Sequence, residues 1–177
     1  LKVVHLVPVG GIEKELLAEL ALGLREKLGI VAEVGAATDI PAEAFNPRRN
    51  QYYSTEILRT LEESKPRGGL YLLGVTGLDL YVPTLNFVFG EALPAKNVAI
   101  ISIHRLRSEF YGGEPDGAVL MERMIKEAVH ELGHLWGMKH CDDPGCVMFF
   151  SNSLMDTDKK SDRFCNRCQN VLKRDAQ

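Results

Sequence analysis

Between residues 130 and 140 the chain reads His130-Glu131-Leu132-Gly133-His134-Leu135-Trp136-Gly137-Met138-Lys139-His140. Side chains four apart share one face of a helix, so His130 and His134 can present both imidazoles to a single divalent ion. Glu131, beside the first of them, stands where a carboxylate can take a proton from a metal-held water without itself ligating. His140 could not reach the same ion if the helix ran on, because six further residues carry it about 9 Å along the axis. Gly137 removes the difficulty, since glycine takes the left-handed conformation that ends a helix and turns the chain back. Three imidazole nitrogens with a fourth position open form the ligand set of a catalytic zinc rather than a structural one. By residue frequency the five fixed positions would arise by chance in roughly three of 100,000 such chains, which sets aside a helix with ordinary surface histidines. A third ligand from a downstream glutamate is excluded, because no Glu follows Glu131. An Asp in that role stays open.

A second group follows at once. All four cysteines, Cys141, Cys146, Cys165 and Cys168, lie in the last quarter of the chain. Their Cys-x4-Cys-x18-Cys-x2-Cys spacing suits a closed four-thiolate zinc. Paired disulfides are the alternative, and they belong more often to small secreted domains that lack a core. His140 could in principle join three of the cysteines, which would leave Cys141 idle and the other ion short of a ligand. From Asp142 onward the composition shifts to Asp, Ser, Asn, Lys and Gly with little periodicity. Such a tail cannot bury a core alone, and a structural zinc, at roughly 10–16 kcal/mol of apparent binding energy, would tie it down. Its basic residues (Lys159, Lys160, Arg163, Arg167, Lys173, Arg174) are diluted by Asp156, Asp158, Asp162 and Asp175, with no interleaved aromatics, so no nucleic-acid partner is expected.

These residues need a frame. The 177 residues, 45% hydrophobic and 25% charged, suit one soluble globular domain. A net charge of −3 provides no field for nucleic acid or an acidic membrane. Apolar runs such as Val98 to Ile103 are too short to cross a bilayer. The N-terminal stretch shows no export signal, so a cytoplasmic location is expected. Val3–Val9 reads as a strand. Residues 12–28 carry apolar side chains at 12, 16, 17, 20, 24 and 28, one helical stripe ended by Gly29. Ile30–Val34 reads as a strand, Pro41–Pro47 as a loop and Gln51–Ser64 as a helix. Leu70–Val75, Asn86–Ala92 and Val98–Ile103 read as strands. Asp116 caps a long helix running to about Met138. The alternation implies a mainly parallel sheet packed by helices. The short connection at 93–97 cannot hold a crossover helix, so Asn86–Ala92 is expected to be an antiparallel edge strand.

The HExxHxxGxxH spacing followed by Met148 resembles the metzincin clan of zinc peptidases. The adjoining Cys141, Cys146, Met148 and Cys165-x-x-Cys168, with the upstream VTGLDLYVPTLNFVFGEA, resemble one family within it, the archaemetzincins, over about residues 70–168. The resemblance implies an α/β catalytic domain over 1–177. Its sheet and active-site helix would lie in 1–140, and 141–177 would form a small C-terminal subdomain. It also implies two zinc ions, with His130, His134 and His140 on the catalytic one, Glu131 as general base, Met148 in the Met-turn and the four cysteines on the structural one. Phe150 departs from relatives that carry a Tyr two residues after the methionine. The expected activity is hydrolysis of a peptide or protein substrate laid along the edge strand at Phe89, Gly90 and Glu91. Glu91 either meets a free substrate amine, which would favour aminopeptidase action, or is a solvated strand charge. A monomer with no membrane association is expected. The alternative is a catalytically silent, zinc-dependent peptide-binding module.

Overall fold

The computed structural model describes residues 3–65 and 71–174. In chain order the elements are β1 (Val4–Val9), α1 (Lys14–Leu28), β2 (Ala32–Val34), β3 (Phe45–Asn46), β4 (Gln51–Tyr53), α2 (Ser54–Glu63) and β5 (Tyr71–Thr76). They continue with β6 (Leu80–Tyr81), β7 (Gly90–Leu93), β8 (Val98–Ser102), α3 (Gly117–Leu135), α4 (Leu154–Lys159) and α5 (Asn166–Arg174). The main sheet has the order β2-β1-β5-β8-β7, parallel except for β7, which runs antiparallel to β8 on the edge. The expected mixed, mainly parallel sheet with one antiparallel edge strand is what the chain forms. A small second sheet joins β3, β4 and β6.

Alternation along the strands divides the core in two. Leu6, Leu73, Val75, Ala99 and Ile101 face α1 and α3, where Leu17, Leu20, Leu24, Met124, Ala128 and Leu132 cover them. Val7, Val9, Leu72, Val98 and Ile100 face the other way, onto Ile57, Leu58 and Leu61 of α2. Gly29 ends α1 at φ 68, as its position predicts. No described helix is long and apolar enough to cross a membrane.

Several expected boundaries move: β2 starts at Ala32 rather than Ile30, and the expected loop 41–47 contains β3. Residues 51–53 form a strand rather than the first turn of α2, because the Tyr52 amide bonds to the Asp79 carbonyl and the β-prone aromatics pair with β6. The edge strand begins at Gly90, not Asn86. The Asn86 carbonyl is bonded by the Arg49 and Gln51 side chains and the Val88 amide by the Leu80 carbonyl, which draws 86–88 toward β6 instead of β8. Helix α3 stops at Leu135 rather than Met138, for reasons given below. The tail holds two short helices that periodicity missed. One is α4, closed by a Ser153–Asp156 capping box, and the other is α5. Leu70, the expected start of a strand, lies outside the described residues, as do Asp175 and the side chains of Lys173 and Arg174.

Candidate active site and metal centres

Asp116 caps α3, accepting from the Val119 amide at 3.0 Å. From Arg123 to Gly133 every residue of the helix is buried. Charged side chains on such a helix need partners, and α4 provides them. Arg123 forks onto Asp158 at 2.7 and 2.9 Å, and Lys126 donates to the Asp158 carbonyl. Glu127 accepts from Thr157 at 2.9 Å and pairs with Lys160 at 2.9 Å. Lys160, read from sequence as part of a basic tail, is among the largest fully buried side chains of the protein.

The helix ends as a Schellman turn. Gly137 sits at φ 85, the Gly137 amide bonds to the His134 carbonyl and the Met138 amide to the Gly133 carbonyl. The chain then doubles back and brings His140 to the other two histidines. The Nε2 atoms of His130 and His140 each lie 3.2 Å from Nε2 of His134. Zinc–nitrogen bonds of tetrahedral geometry separate their nitrogens by about 3.3 Å, so the three rings fit one zinc. The other ring nitrogens support this. Nδ1 of His130 lies 2.8 Å from the Val147 carbonyl and Nδ1 of His134 lies 2.9 Å from the Met138 carbonyl. A carbonyl only accepts, so Nδ1 carries the proton and Nε2 keeps its lone pair for a metal. Burial lowers the proton affinity of all three rings, most strongly at His130.

Glu131 is buried beside them. Burial first, and the neighbouring Glu127 carboxylate second, push its carboxyl well above the ordinary range, while Lys160 opposes the shift. Phe87, Phe89, Gly90, His130, Glu131 and Phe150 line a small cleft at this point. Met148 is fully buried beneath the helix, and a Cβ on Gly133 would run into its sulfur. Glu91, on the opposite face of β7, accepts from the hydroxyls of Ser54 at 2.5 Å and Thr55 at 2.8 Å.

The four cysteine sulfurs form a second cluster, all within 4.8 Å of one another, and none is in a disulfide. Sγ of Cys141 and Cys165 are 3.8 Å apart, close to the roughly 3.8 Å that a tetrahedral four-thiolate zinc requires. Cys165 is lowered to about 7, chiefly by the Cys168 backbone amide, while burial pushes Cys146 and Cys168 up. Arg167 donates to Cys141 at 3.2 Å and also pairs with Asp142. Sequence reasoning missed Glu127, Lys160 and the Val147 and Met138 carbonyls. The one available signal was a block of charge, Arg123 with Lys126 and Glu127, inside an otherwise apolar helix.

A histidine triad that fits zinc, at the end of a helix packed on a mixed sheet, is the arrangement of a zinc peptidase, and the comparisons agree. A crystal structure of a zinc-dependent peptidase from Methanocorpusculum labreanum superposes with a TM-score of 0.87 at 35% identity, covering 96% of this chain and 99% of that one. An archaemetzincin from Pyrococcus furiosus is 43% identical over 94% of this chain and 90% of its own length. One from Methanocaldococcus jannaschii is 45% identical over 93% and 89%. The sequence profile of peptidase family M54 matches residues 23–174. The chain belongs to peptidase family M54, with these archaemetzincins.

Proposed function

We propose that this chain hydrolyses peptide bonds at the His130–His134–His140 site, with Glu131 as general base. The observation that carries the reading is the convergence of three Nε2 atoms, two of them from rings fixed through Nδ1 by backbone carbonyls, beside a buried carboxylate. A zinc held there supplies Lewis acidity, which acidifies water and polarises the scissile carbonyl. Glu131 removes the proton from the attacking water and returns it to the leaving amine. Burial raises the proton affinity of its carboxyl, the direction a group that accepts a proton and returns it requires. The outer edge of β7 has no strand on it among the described residues, so an extended substrate can pair there at Phe89, Gly90 and Glu91. No phenol stands at Phe150, and the mechanism assigns none.

Cys141, Cys146, Cys165 and Cys168 would hold a second, structural zinc. The division into 1–140 and 141–177 then falls at the peptide bond joining a ligand of one ion to a ligand of the other. An aminopeptidase action through Glu91 would have to compete with Ser54 and Thr55 for that carboxylate, so peptides with free and acetylated N-termini decide whether it occurs. The test of the main reading is a peptide-library cleavage assay of zinc-loaded protein beside Glu131→Gln. Cleavage by the parent alone is expected. Cleavage by neither would leave a zinc-dependent peptide-binding module, and cleavage by both would mean a contaminant.

A further inference from the structure

Gly90 has no backbone reason to be glycine. Among the described residues the glycines at positive φ are Gly10, Gly11, Gly29, Gly112 and Gly137, and Gly90 is not one of them. It sits in an ordinary antiparallel ladder opposite Ile101, and just before it the Ser102 amide donates to the Phe89 carbonyl at 2.8 Å. What singles the position out is the space above it. A Cβ at residue 90 would lie 2.5 Å from Oε1 of Glu131, 2.8 Å from its Cγ and 2.8 Å from the Ile100 carbonyl oxygen. Favourable contacts to carbon begin at about 3.5 Å, so a methyl group and the Glu131 carboxylate cannot both keep their places.

The strand has little room to retreat, and Glu131 can move only into the small cleft it lines. The ladder to β8 holds the strand. On the helix side Glu131 is buried, and the same face one turn earlier is filled by Glu127, itself tied to Thr157 and Lys160. The carboxylate therefore rests against bare backbone of the edge strand.

We propose that Gly90 is a positioning residue for Glu131: the missing side chain is the gap that lets the carboxylate lie beside the histidine triad, with the edge strand as its stop. The proposal rests on the reading of Glu131 as general base, and it gives the strand a second task besides pairing with substrate.

The test is Gly90→Ala. In the zinc-loaded protein, zinc content should match the parent and KM should stay within about 2-fold. The value of kcat should fall at least ~10-fold, a partial loss on the scale of general-base removal. A substrate-pairing role alone would raise KM and spare kcat, and that result overturns the proposal. The second readout needs no activity. Thermal unfolding of the metal-free protein is measured for the parent, Gly90→Ala, Glu131→Ala and the double variant. Shortening Glu131 removes both side-chain contacts and leaves the one to the Ile100 carbonyl, so a clear part of the Tm loss caused by Gly90→Ala should vanish in the Glu131→Ala background. Gly90→Ala folding only in that background would support the contact equally. Additive losses, or failure to fold in both backgrounds, would assign the glycine to the Ile100 carbonyl and overturn the proposal. If the parent itself cleaves nothing, the peptidase reading fails separately, and the unfolding cycle still decides the contact.

Discussion

Glu131 and the three histidines respond to burial in opposite directions, and this separates their roles. Glu131→Gln keeps the shape of the side chain and removes the proposed base. We expect zinc content to be unchanged and hydrolysis to fall at least ~100-fold, measured as kcat/KM on any peptide the parent cleaves. The metal-free protein makes a sharper test. His130, His134 and His140 all have folded values below their unfolded value of about 6.5. As pH drops through that value the unfolded chain takes up protons that the folded one refuses, so the histidines withdraw stability toward acid. Glu131 is raised instead, so the folded state holds a proton that the unfolded chain has released, and its share of stability declines as pH rises above about 4.5. The two trends oppose each other near pH 6. In chelator, Glu131→Gln should therefore lose Tm more steeply than the parent as pH falls below about 6.5, while His130→Gln should flatten the slope. Identical slopes in all three would show that these groups do not titrate with folding. The triad, Glu131 and the cysteines could be named from sequence because their spacing is itself the geometry. Lys160 could not, because nothing in Lys159-Lys160 tells which ammonium turns inward.

At the scale of elements, the two clusters are joined by backbone. The Val147 carbonyl faces Nδ1 of His130, the Val147 amide donates to the Arg163 carbonyl at 2.9 Å, and Arg163 lies two residues before Cys165. The Cys141 amide in turn donates to the Met148 carbonyl. Opening the cysteine cluster with Cys165→Ser should thus loosen the carbonyl that orients a histidine it never touches. We expect about a 10-fold loss of affinity at the histidine site, the low end of what removing such support costs, read by zinc competition. Loss of one ion with unchanged affinity for the other would show independent sites. The elements that sequence placed well have a periodic apolar face (α1), a continuous apolar run (β8, most of β5) or a capping residue (α3). Those it misplaced are governed by side chains far along the chain. Arg49 and Gln51 decide where β7 starts, and no local pattern announces that. Helices α4 and α5 are short and polar, with too few apolar side chains to mark a stripe.

Across the whole molecule the two centres differ in closure. On the proposed reading one would have three neutral ligands and an open position, and the other four thiolates. Zinc-loaded protein should carry two ions per chain, and a mild chelator should take the histidine-held ion first, leaving one zinc and a folded chain. Simultaneous loss of both ions, followed by metal analysis and circular dichroism, would contradict this. The buried Glu127–Lys160 pair carries a last consequence, which concerns the order in which the protein is made. Synthesis delivers α3 with Glu127 well before Thr157 and Lys160 exist, so the nascent helix carries a carboxylate without the hydroxyl and ammonium it is buried against. The sheet can form early, but the helix cannot settle fully onto it while an uncompensated carboxylate faces the core. Closure of the site is thereby delayed until the C-terminal segment has emerged, and a nascent chain arrested before residue 160 should hold α3 loosely, its histidines within reach of metal but not yet gathered around it.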